Sequence, residues 1–114
     1  MPRTGITIIR ADGRREYQEF PSIYRGQEDA MEQLKTIVGG WVELVHVLYN
    51  GKPTYMVVNE EGAILQPPLP INIDATDIYH NATMIREKMT RELARATLAH
   101  IHGDVALLTG VIVE

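Results

Sequence analysis

The chain has no cysteine and only one serine, one phenylalanine and one tryptophan in 114 residues. Without cysteine there is neither a disulfide framework nor a thiolate metal site. The single serine, Ser22, stands in a Pro-Ser-Ile loop with no glycine elbow around it, so a serine nucleophile has no support. No apolar run approaches the roughly 20 residues that a membrane helix needs. Met1–Gly5 is short and polar, so no signal peptide is expected and the cytoplasm is the default location. A basic excess is missing too. Eleven Lys and Arg stand against 15 Asp and Glu, a formal charge of −4, which argues against a general nucleic-acid binder.

Apolar residues at 45% and charged residues at 23% are ordinary for a globular protein, and the length fits a single domain over residues 1–114. The richest stretch runs from Val38 to Gly62. A Gly-Gly break releases a strand over Trp41–Tyr49, Asn50-Gly51 reverses it, and a second strand, Thr54–Asn59, ends at Asn59-Glu60-Glu61-Gly62. Asn-Gly between two apolar, β-branched runs is the strongest short hairpin signal, because both residues tolerate positive φ. Gly5–Ala11, Asp12-Gly13 and Arg14–Phe20 read as a second hairpin, whose poorly alternating return strand suits a sheet edge.

Gln27–Val38 has helical spacing at Ala30 or Met31, Leu34 and Ile37/Val38. Gly39 stands where helices take a left-handed residue, and Glu28, Asp29 and Glu32 favour the positive end of the dipole. Ala63–Leu65 adds a short strand, and the three prolines of Gln66–Ile73 keep that segment extended. In Asp74–His102, an apolar stripe of Ile78, Ala82, Ile85, Met89, Leu93, Ala96 and His100 predicts one long helix, or two if Asn81 acts as a cap. Gly103-Asp104 ends it, and Val105–Val113 reads as a buried strand. The expected fold is α+β: a mainly antiparallel sheet of about five strands with two helices, the second long, packed on one face. Its expected core is Ile8, Leu34, Ile37, Val42, Leu44, Val57, Ile85, Met89, Leu93, Val105 and Leu107.

Catalytic and metal signatures are weak. His46, His80, His100 and His102 have no carboxylate at a recognised ligand spacing, so no metal and no cofactor is expected. Glu60-Glu61 belongs to an ordinary reverse turn, where neighbours point apart. Gly39-Gly40 follows a helix instead of preceding one, the wrong polarity for a phosphate cradle. A better anion site is a basic stripe, Lys88, Arg91 and Arg95 at i, i+3 and i+7, with Arg86 nearby. Glu87 and Glu92 can pair with Arg91 and Arg95, which makes a solvated salt-bridged face the competing explanation. Trp41 and Tyr55 are the expected stacking partners, and Asn72 and Thr76 the expected neutral hydrogen-bonding groups.

Four motifs occur in order: Val38-Gly39-Gly40-Trp41-Val42-Glu43, Asn59-Glu60-Glu61-Gly62, Asn72 with Ala75-Thr76, and Gly103-Asp104-Val105. Their order resembles a domain-of-unknown-function family of small phage and mobile-element proteins, over about Leu34 to Leu108. The segment Asp77–Ala99 departs from that pattern, being longer and more charged. The resemblance implies a source and carries no catalytic residues. Together these features lead to the expectation of a non-enzymatic protein that sequesters a small anionic, nucleotide-like ligand such as a host-defence signal. A module that blocks a host protein is the alternative, and a hydrolase ranks last for want of a base and nucleophile. A helix over residues 74–102 would be about 40 Å long, too long for a domain of this size to cover, so self-association through it is expected.

Overall fold

The computed structural model describes residues 5–19 and 27–109, with the side chains of 27–29 excluded. Phe20, Ser22, the Glu28 and Asp29 side chains, and residues 110–113 of the expected last strand lie outside that set. Two hairpins make most of the sheet. In the first, β1 (Gly5–Ile9) pairs with β2 (Arg15–Glu19), and Gly13 takes φ 94° in the connecting turn. In the second, β3 (Val42–Tyr49) pairs with β4 (Lys52–Asn59) in unbroken register from Val42↔Asn59 to Tyr49↔Lys52. Asn50 and Gly51 both adopt positive φ, 52° and 77°, as a two-residue type I′ turn requires. The short, wholly buried β5 (Val105–Leu107) lies between the hairpins and joins them in the order β2-β1-β5-β4-β3, antiparallel throughout.

Alternation along the central strands creates two buried faces. On one, Ile6, Ile8, Val57, Ala106 and Leu108 pack against Ala30, Leu34, Ile37 and Val38 of α1 (Gln27–Val38). On the other, Ile9, Met56, Val58, Val105 and Leu107 pack with Val47 and with Ala75 and Ala82 of α2 (Ile73–Glu87). The helices therefore cover both faces, correcting the one-face expectation, because the central strands are apolar on both sides. This also accounts for their continuous apolar runs.

The long helix is two. Lys88 turns to φ 51°, its N–H and that of Met89 both close on the Met84 carbonyl, and α3 (Arg91–Thr97) begins again at the Thr90 cap. The break falls at residues 88–90 instead of at Asn81, which stays inside α2 and accepts a hydrogen bond from Arg91. With the helix divided, the stripe read across it no longer shares one face: Ile85 is 68% exposed and Leu93 49%. Leu44, also expected in the core, is 54% exposed at the sheet edge, while Val42 and Met89 are half-buried. Ala63–Leu65 forms a turn through Ile64 and Leu65 N–H bonds to the Glu61 carbonyl, not a strand. No helix among the described residues is long and apolar enough to cross a membrane.

Candidate functional site

The start of α2, the end of α3 and the segment that follows it enclose a hollow of about 370 Å³. It is lined by Ile71, Ile73, Thr76, Asp77, His80, Arg95 and His100. Local geometry explains each position. Asn72, 1% exposed, caps α2 by accepting from Ala75 N–H, while its amide donates to the carbonyls of Ile9 and Gly103 at 2.9 Å. Those three bonds fix the first turn of α2 against β1 and the loop before β5. Four residues further on, Thr76 accepts from Ile101 N–H at 2.9 Å. One more turn along, His80 Nε2 donates to the Ala99 carbonyl at 2.9 Å, which places the proton on that nitrogen and sets the ring plane. Thr76 and His80 thus face the returning chain from one stripe of α2, at i and i+4, and buried Thr83 continues that stripe at i+7 with its hydroxyl on the Tyr79 carbonyl.

The wall opposite is more open. Among the described residues Arg95 makes no ion pair or hydrogen bond and is exposed, with its side chain on the hollow. His100 is exposed as well, its ring centroid 6.1 Å from that of His80. Ile71 and Ile73 add exposed apolar surface at the rim. His100 also borders a wider cleft of about 780 Å³ that runs to β3 and β4 past Glu43, Glu60, Tyr79, Arg86 and His102. His102 is held there by Nδ1 donation to the Leu69 carbonyl at 2.8 Å. Among the described residues, no three His, Asp or Glu side chains come together as a metal would require.

The structure gathers two of the seven expected ligand residues, Thr76 and Arg95, at one hollow. Asn72 is close by, but all its hydrogen-bonding atoms are occupied within the fold. Lys88 and Arg91 fall on either side of the helix break, so the basic stripe is not continuous; Arg91 bonds Asn81 Oδ1 at 3.1 Å. The aromatics lie elsewhere. Lys35 of α1 sits over the Trp41 ring at 4.5 Å. Tyr55 packs with the cluster beneath α1, its ring 4.6 Å from that of His46, on the opposite face of the sheet from α2. His80 and His100 were not expected at the site. The i, i+4 spacing of Thr76 and His80 within the expected helix was legible in the sequence, but His100 depends on where the chain turns after α3.

The family-like motifs serve the fold. Asn59 donates to the Val38 carbonyl and accepts from Glu61 N–H, joining the end of α1 to the acidic turn. Asp104 accepts from Arg10 and from Ala11 N–H, joining β5 to the first hairpin. Comparisons with family models, curated proteins and solved structures find no match.

Proposed function

We propose that this protein binds and sequesters a small anionic, ring-bearing ligand of nucleotide type, without chemistry, in the hollow between α2 and α3. The observation that carries this reading is Arg95, an exposed cation with no partner among the described residues, set on a concave surface beside His80, His100 and two exposed isoleucines, with Asp77 the one carboxylate on the same lining. A guanidinium offers charge-assisted hydrogen bonds to phosphate, the imidazoles add polar and stacking contacts, and Ile71 and Ile73 give an apolar bed for a ring. The volume suits a ligand about the size of a mononucleotide. The resemblance to phage and mobile-element proteins supports a target among host-defence signals, met in the host cytoplasm. Calorimetric titration with cyclic dinucleotides and ADP-ribose derivatives tests the reading. Binding is expected to weaken with salt, and Arg95→Ala to cost about 1.5–3 kcal/mol, the worth of hydrogen bonds to a charged group. Lys88→Ala, away from the hollow, is expected to bind like the parent. If no ligand binds at micromolar concentration, or Arg95→Ala binds like the parent, the reading is wrong.

A second reading, a module that blocks a host protein, draws on Trp41. That ring is 64% exposed and lies beside the acidic turn, since Glu60 N–H donates to the Trp41 carbonyl at 2.9 Å. A large aromatic next to exposed charge is the composition of an interface anchor.

A further inference from the structure

The two edges of the sheet are built differently. β2 is five residues long and carries Arg15, Glu16 and Glu19, the charged dressing that keeps an edge from pairing. β3 is eight residues long, has no proline, glycine or lysine, and holds a single charge, Glu43. Its pairing with β4 also fixes which main-chain groups are free. Glu60 N–H bonds the Trp41 carbonyl in the same register that pairs Val42 with Asn59, so the odd-numbered residues of β3 point their N–H and C=O groups at β4. Those of Val42, Leu44, His46 and Leu48 point outward, and no further hydrogen bond takes them among the described residues.

We infer that β3 pairs with β3 of a second copy of this chain, antiparallel about a two-fold axis at Val45, to make a continuous ten-stranded sheet. In that register the outward groups match: Leu44 meets His46 of the second copy, and Val42 meets Leu48. Val45 faces its own counterpart as a non-hydrogen-bonded pair, the closest approach in an antiparallel ladder. The charges match as well. Glu43 of the second copy comes opposite Val47, and Val47 lines a hollow of about 460 Å³ together with Ile85 and Arg86 of α2. Glu43 and Val47 point to the α2 side, where Val47 packs with Met56 and Ala82. Each Glu43 is thereby brought next to an Arg86 across the axis, twice by symmetry. Within the chain, Arg86 borders the same cleft as Glu43 without an ion pair to it, and its one ion pair among the described residues is an exposed contact with its neighbour Glu87, at 3.3 Å. The pairing also covers Leu44 and brings a second copy over Ile85, both of which the isolated fold leaves exposed beside this edge.

Sedimentation equilibrium at micromolar concentration tests the pairing, with twice the 12.8 kDa chain mass expected. Glu43→Arg and Arg86→Glu are each expected to raise the dissociation constant about tenfold or more by setting like charges together, and the double variant to restore it. Both side chains are exposed, and circular dichroism confirms that each variant folds. Because the parent lacks cysteine, oxidised Val45→Cys should form a covalent dimer at the axis, while Thr36→Cys on α1 should not. A monomeric parent overturns the inference. So does a dimer indifferent to both charge reversals, or a Val45→Cys chain that cross-links no better than Thr36→Cys.

Discussion

Asn72 concentrates the cost of holding three segments on one side chain. Capping alone is worth about 1 kcal/mol, but this amide also satisfies the carbonyls of Ile9 and Gly103 in a site closed to water. Asn72→Ala should therefore destabilise by about 3–5 kcal/mol, measured as a fall in urea midpoint. Asn72→Asp keeps the cap but turns oxygen toward two carbonyls, so it should be nearly as damaging. If Asn72→Asp matches the parent, the residue is only a cap. A second prediction concerns acid. Arg10 lies between Glu16 and Asp104, at 2.9 and 3.0 Å, and its hydrogen bond holds the Glu16 carboxyl below the usual glutamate value. The Arg14 main-chain N–H does the same for Asp12. A carboxylate whose pKa is lowered by folding adds stability above its unfolded pKa and loses it as pH falls through the folded one. Stability should therefore decline below the ordinary carboxylate range of about pH 4, and Glu16→Gln should show a shallower decline. An unchanged acid limb in that variant would count against the pair. At this scale the sequence was only partly readable. Asn72 was visible as a polar residue before a helix, whereas its two long-range carbonyl partners, 63 and 31 residues away, carry no local signal.

At the scale of elements, what was legible depended on whether the signal is local. Asn50-Gly51 and Asp12-Gly13 dictate turns by backbone freedom alone, and both hairpins formed where those pairs stand, with β2 at the sheet edge. α1 formed over Gln27–Val38 with Gly39 at φ 82° just past its end. The division of residues 73–97 was not legible at the right place, because no glycine or proline marks it. Lys88 instead takes a left-handed conformation that costs an L-residue about 1–2 kcal/mol, offset by the closing bonds to Met84 and by the Thr90 cap. Thr90 ahead of Arg91-Glu92 was the available clue. Lys88→Gly should relieve the strain and raise stability by about 1 kcal/mol, seen as a higher melting temperature. A continuous helix in solution would instead lose stability on that change, since glycine is a poor helix former.

For the whole molecule, the decisive event is the insertion of the three residues of β5, Val105–Leu107, between two hairpins far apart in sequence. That insertion gives the sheet two buried faces, sends α1 and the α2–α3 pair to opposite sides, and separates Tyr55 from Arg95. An antiparallel five-stranded α+β sheet was foreseeable from hairpins and apolar runs. Which side each helix takes was not, because the central strands are apolar in both directions. The regrouping leaves Thr76, His80, Arg95 and His100 around one hollow, and sequestration of an anion there is the account's central claim. It is tested most directly by mass spectrometry of the small molecules released when the protein, purified from cells producing a nucleotide defence signal, is denatured. The account predicts one nucleotide-like anion in roughly stoichiometric amount from the parent, and none from Arg95→Ala of equal thermal stability. Release of nothing from the parent, or of the same anion from both proteins, would contradict it.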